Sequence, residues 1–109
     1  MTTYEQGDVV LVCFVFTNER GAKRRPAVVV STSEYHQGRQ EVIVAAITSN
    51  VDRLLDGDHL ISGWQEAGLL FPSVATGIVR TIKQTMIERR LGTMPPTDMQ
   101  AIQSNCGTF

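Results

Sequence analysis

The 109-residue sequence has only two cysteines and two histidines, and no apolar run that approaches the roughly 20 residues needed to span a membrane. Each scarcity excludes something. Cys13 and Cys106 lie far apart with no CxxC and no metal-ligand spacing, which leaves two reduced cysteines in a cytoplasmic chain as the expected state. His36 and His59 fall in polar stretches without a nucleophile at a telling distance, so both read as surface histidines. The segment "DGDH" at 56–59 lacks the further ligands of a calcium loop and reads as a solvated turn. No GxGxxG, GxxxxGK[ST], GxSxG or HExxH occurs, which removes most cofactor-dependent and hydrolytic classes. The opening "MTTYEQGD" has neither cations nor an apolar core and does not read as a secretory signal.

What is present describes a single domain over 1–109, with its core about 6–105. The 42% apolar and 19% charged content is ordinary for a globular protein. "DVVLVCFVF", from Asp8 to Phe16, is β-branched and aromatic without helical periodicity, and reads as a buried strand. "TNERGAKRR" reads as a loop, "PAVVVS" as a second strand opening on Pro26, and "EVIVAAIT" as a third. "DHLIS" suits a short strand, and "GLLFPSVATGIVRTIK" one or two more, broken at Pro72. The period then changes. Thr97 with Gln100 three residues on has the spacing of a capping box, and Met99, Ile102 and Cys106 repeat on one helical stripe. Short strands followed by one late helix point to a mostly β architecture, a small antiparallel barrel with helical decoration.

Net charge is -1, so total charge gives no support for a nucleic-acid partner. The distribution is more telling. Arg20, Lys23, Arg24 and Arg25 cluster early, and Arg80, Lys83, Arg89 and Arg90 cluster late. If these two segments meet, the fold gains one electropositive face. Arg25 precedes Pro26, which holds its backbone extended, and its fork of N–H donors suits a phosphate. Alternation along the third strand puts Val42, Val44, Ala46 and Thr48 on one face, with Thr48 where that face meets the loop. A hydroxyl there could donate to a phosphate oxygen. Taken singly, the blander readings are favoured: Arg25 as a solvated cation beside an acidic neighbour, Thr48 as an ordinary strand threonine.

Taken as an ordered set, "GDVVLV", "RRPAVVVS" and "VIVAAITSN", followed by "SVATGIVRTIK" and "RRLGTM", resemble the MazF/PemK family of toxin endoribonucleases over roughly residues 6–103. The resemblance implies an SH3-like antiparallel barrel with a C-terminal helix and a homodimer. It also implies metal-independent, sequence-specific cleavage of single-stranded RNA with no cofactor. Arg25 matches the arginine of the R-P motif and Thr48 the threonine of the T-S motif, both catalytic by that resemblance. Glu19, Lys23, Arg24, Ser49 and Arg80 are then candidate RNA contacts, although Glu19 falls one residue further from the arginine than the family pattern has it. Tyr35 and Trp64 could stack bases, and Trp64 is equally suited to the core or a dimer interface. The implied partners are mRNA and a cognate antitoxin, with no membrane. Two other readings of the same barrel are an RNA- or peptide-binding module without cleavage and a gyrase-poison toxin acting on a topoisomerase.

Overall fold

A computed structural model describes residues 4–15, 22–32, 40–49, 51 and 58–106 of the chain. Within them the chain forms β1 (Asp8–Val15), β2 (Ala22–Val29), β3 (Glu41–Thr48), β4 (His59–Leu60), β5 (Val74–Lys83) and β6 (Ile87–Thr93). A 3-10 turn (Gln84–Met86) joins β5 to β6, and helix α1 (Pro96–Cys106) ends the described chain. All strand pairs are antiparallel, in one six-stranded sheet of order β4-β5-β3-β2-β1-β6. The architecture is mostly β with a C-terminal helix, as the strand pattern leads one to expect. No described helix is long and apolar enough to cross a membrane.

The unbroken apolar runs of β1, β2 and β3 have a simple cause: both faces of these strands are buried. Val9, Val28, Val30, Ile43, Ala45 and Ile47 belong to one core, which Met99 and Ile102 of α1 complete together with Ile61, Ala67, Leu69 and Met94. Val10, Val12, Ala27, Val29, Val42 and Val44 belong to a second, with Tyr4, Ile82 and Ile87. β5 lies beside β3 and β6 beside β1, so the chain between them must cross the width of β3-β2-β1. That crossing contributes Ile82, Met86 and Ile87 to the second core.

Several expectations are revised. β2 begins at Ala22, so Lys23, Arg24 and Arg25 lie on a strand and not in a loop. They pair with Phe14, Cys13 and Val12 of β1, whose apolar run is long enough to template the charged stretch. Pro26 is therefore interior to β2, but pairing with β3 begins only at Ala27. At Pro26 the strand has one neighbour, and a missing N–H is tolerated there. β6 has no counterpart in the strand pattern, because "IERR" offers one apolar residue followed by three exposed charges. It forms as an edge strand, where charge is the rule.

Helix α1 starts at Pro96, with the Met99 N–H donating to the Pro95 carbonyl at 2.9 Å, so Thr97 is inside the first turn and is not the cap. A proline's fixed φ and absent N–H suit the first helical position. Met99 and Ile102 are buried as the stripe requires, while the Cys106 side chain lies outside the described set. His59 is not a loop histidine in solvent. It sits on β4 and is hydrogen-bonded through Nε2 to Asp98 Oδ1 at 2.7 Å. Asp98, 3% exposed, also accepts the backbone N–H groups of Ser62 and Gly63 at 2.9 Å each. One carboxylate thus ties α1 to β4 and to the turn that follows it. Burial pushes the Asp98 carboxyl up, but the Ser62 N–H, the His59 ring and the Gly63 N–H together hold it below the ordinary carboxylate range.

Asp98→Ala would leave two backbone donors without their acceptor and should destabilise the fold by about 2–4 kcal/mol in urea unfolding. A carboxyl depressed in the folded state stabilises above its unfolded pKa and stops doing so as pH falls through the folded value. The gap between wild type and Asp98→Ala should therefore be full at neutral pH and narrow below the ordinary carboxylate range. A gap that does not change with pH would contradict the assignment.

Candidate functional site

Three departures from regular pairing shape one side of the sheet. Between Ala45 and Ile47 on β3 there is one residue, Ala46, whereas β5 has three between their partners Val79 and Ala75. The extra residues, Thr76 to Ile78, bulge outward. Thr76 secures the bulge, its Oγ1 donating to the Ala46 carbonyl at 2.9 Å and accepting the Ile78 N–H at 3.2 Å. The Gly77 N–H is taken by Asp58 Oδ1 at 3.2 Å. On β6, Leu91 and Glu88 each lack an opposite residue on β1, so two further bulges bracket Arg89 and Arg90. Bulges bend a strand and re-aim its side chains, and they gather beside functional sites.

Next to them lies a cleft of about 720 Å³. Its walls come from β1 (Leu11), β2 (Arg25, Pro26), the end of β3 (Ala46, Ile47, Thr48, Ser49), β5 (Ile78, Arg80) and β6 (Arg89, Leu91). The segment Gly68–Phe71 and Ser73 close it. Gly68 has φ +82°, and a side chain there would overlap the Leu91 carbonyl. Gly92 faces Ala67 with as little room. These two glycines let the segment lie directly on β6. The Leu69 N–H bonds to the Trp64 carbonyl at 3.0 Å, and Ser73 Oγ donates to the Phe71 carbonyl at 2.8 Å, which holds the lip.

The cleft is cationic at one part and apolar at another. Arg25, Arg80 and Arg89 line it, and no described lining residue is acidic. Leu70, Phe71 and Ile78 are 83%, 64% and 59% exposed, an unusual amount of apolar surface for one rim. Thr48 and Ser49 supply hydroxyls at the strand end. Among the described residues no three His, Cys, Asp or Glu side chains group as a metal site would require.

Of the residues singled out in the sequence, Arg25, Thr48, Ser49 and Arg80 come together here, and the early and late basic segments do share a face. Lys23 and Arg24 are exposed but do not line the cleft, and Arg24 Nε is bonded to Glu88 Oε2 at 2.6 Å. That contact raises the Arg24 pKa further. Glu19, Tyr35 and His36 lie outside the described residues. Trp64 is half-buried against the core beneath α1, so it is no open stacking platform. Arg89 and the exposed rim were not identifiable beforehand. Alternation predicts which of two neighbouring arginines faces a site only when the strand has no bulge.

Several solved structures share this fold. MazE–MazF (Form-II) from Deinococcus radiodurans superposes with a TM-score of 0.80 at 16% identity, covering 98% of this chain and 95% of that one. An endoribonuclease in complex with its cognate antitoxin, from a mycobacterial species, gives 0.74 at 16% identity, covering 95% and 91%. The Mycobacterium tuberculosis toxin MazF-mt6 gives 0.71 at 22% identity, covering 91% and 92%. Likeness at such identities establishes a MazF-like fold. Residues 5–108 also match the family described as PemK-like, MazF-like toxin of type II toxin–antitoxin system, and the chain belongs to that family. No curated protein sequence matches it.

Gly68→Ala tests how the cleft is built. A side chain at positive φ against a backbone carbonyl should cost about 1–3 kcal/mol in unfolding free energy. A variant as stable as wild type would mean that the lip does not rest on β6.

Proposed function

We propose that the chain is a metal-independent, sequence-specific endoribonuclease, the toxin of a toxin–antitoxin pair. As a single toxin domain, it would cleave single-stranded mRNA in the cytoplasm. The observation that carries this reading is the shared cleft. Arg25 from β2 and Thr48 from the end of β3 line one cavity with two further arginines and no described carboxylate. Such a site suits an anion, and the exposed apolar rim beside it suits the base of an unpaired nucleotide.

In the reaction the RNA supplies its own nucleophile. The 2′-oxygen attacks the adjacent phosphorus, the P–O5′ bond breaks, and the products are a 2′,3′-cyclic phosphate and a 5′-hydroxyl. The proton lost from the 2′-oxygen is balanced by one gained at the 5′-oxygen. Arg25 stabilises the charge that grows on the non-bridging oxygens, a role that suits a guanidinium better than proton transfer does. Thr48 hydrogen-bonds the phosphate and fixes its orientation for in-line attack. Ser49 and Arg80 hold the flanking backbone. Glu19, Lys23 and Arg24 are left as contacts on the approach to the cleft, and Arg24 would have to exchange Glu88 for RNA.

A homodimer and a cognate antitoxin complete the proposal. One of the solved relatives is described as an endoribonuclease bound to its cognate antitoxin. A disordered acidic segment carrying apolar side chains would fold onto this cleft, its carboxylates meeting the arginines and its apolar groups the rim. It would block RNA by occupying the same cations.

Incubation of the purified protein with a long single-stranded RNA in excess EDTA should give discrete fragments ending in cyclic phosphate. Arg25→Ala and Thr48→Ala should each lower the rate by at least ~10²-fold. Neither residue is buried, so urea midpoints should stay near wild type. Intact RNA with the wild type, or full activity in both variants, would overturn the proposal.

A further inference from the structure

Four of the described arginines differ in what they meet. Outside the cleft, Arg24 is paired with Glu88, and Arg90 NH1 lies 3.8 Å from Asp8 Oδ1. Inside it, the side chains of Arg25 and Arg89 make no hydrogen bond or ion pair with any described residue. Two exposed guanidiniums with no described carboxylate partner, in a cavity lined by no described carboxylate, are arranged for an anion that arrives from outside.

Their positions say how the anion is spaced. Leu11 of β1 pairs with Arg89 on one side and with Pro26 on the other. Arg89 and Pro26 are thus two strand spacings apart, about 10 Å between backbones. Arg25 is the residue next to Pro26. Both arginines nevertheless line the one cleft, as does Leu11 of the strand between them. Anchored on strands two apart, they suit separate neighbouring phosphates of an extended strand. Between the bulges at Glu88 and Leu91 the pairing is regular, so Arg89 and Arg90 alternate in direction, Arg90 towards Asp8 and Arg89 to the cleft.

We infer that Arg89 is a positioning residue that grips the phosphate next to the one Arg25 acts on, so the cleft holds a two-phosphate stretch of single strand. This rests on the reading of the cleft as an RNA site. Arg89 holds substrate in place and takes no part in the chemical step, so its loss weakens binding and leaves turnover.

The test uses the full chain and two readouts. The first is binding of a short, mixed-sequence, all-2′-deoxy oligonucleotide, which lacks the attacking hydroxyl, measured by fluorescence anisotropy over a range of potassium chloride. Arg89→Gln should lower the slope of log Kd against log salt by about 0.7, one single-strand phosphate contact. Arg89→Lys should keep the slope, and Lys83→Gln, a control outside the cleft, should leave it unchanged. The second readout is RNA cleavage, where Arg89→Gln should raise KM about tenfold with kcat within about threefold of wild type. An unchanged slope, or a fall in kcat at constant KM, overturns the assignment. Wild-type cleavage with an unchanged slope sinks Arg89 alone. A lowered slope with no wild-type cleavage sinks the nuclease reading and leaves the anchor standing. Absence of both binding and cleavage sinks both.

Discussion

Strands that are apolar on both faces have to be covered twice, and β1, β2 and β3 impose that requirement on everything after them. Burying a valine side chain is worth roughly 1.5–3 kcal/mol, and these strands bury seven valines across their two faces. One covering is the helix with the turn at 61–69. The other is the chain crossing from β5 to β6, which contributes Ile82, Met86 and Ile87. That crossing leaves Arg80 on one strand and Arg89 on the other, lining the cleft that Arg25 and Thr48 also line. The cationic cleft is thus a by-product of how the second core is closed.

A site built this way depends on its braces. Asp98 joins the helix to β4 and to Ser62 and Gly63. From there the turn runs to Gly68, whose open conformation lets the lip rest on Leu91. The apolar rim therefore depends on a buried carboxylate that does not itself line the cleft. The turn segment between β4 and β5, braced by these contacts, sets Leu70 and Phe71 beside the arginines. Such an arrangement spares a bound strand part of the cost of ordering the protein around it.

The legible part of the sequence was the part governed by local pattern. β3 runs from Glu41 to Thr48 as its composition requires, and Met99 and Ile102 are buried as their spacing requires. A proline and a strand end drew attention to Arg25 and Thr48, but singly each read as an ordinary surface residue; only the ordered resemblance to the MazF/PemK family put them in one site, and both line the cleft. Long-range effects were not readable. β2 reaches back to Ala22 because β1 offers a partner, and β6 is a strand because β1 has a second edge. His59 looked solvated because its partner Asp98 is 39 residues away in sequence. Arg89 could not be told from Arg90, since which of them faces the cleft depends on the bulges to either side and on the register with β1.

The central claim is that Arg25 and Thr48 act on one phosphate as a unit. A double-mutant cycle on single-turnover cleavage, comparing Arg25→Ala, Thr48→Ala and the double variant, tests it most directly. Residues that serve the same transition state are strongly non-additive, so the double variant should be little slower than the worse single variant. Losses that multiply would mean that the two side chains work independently, and would contradict a shared site.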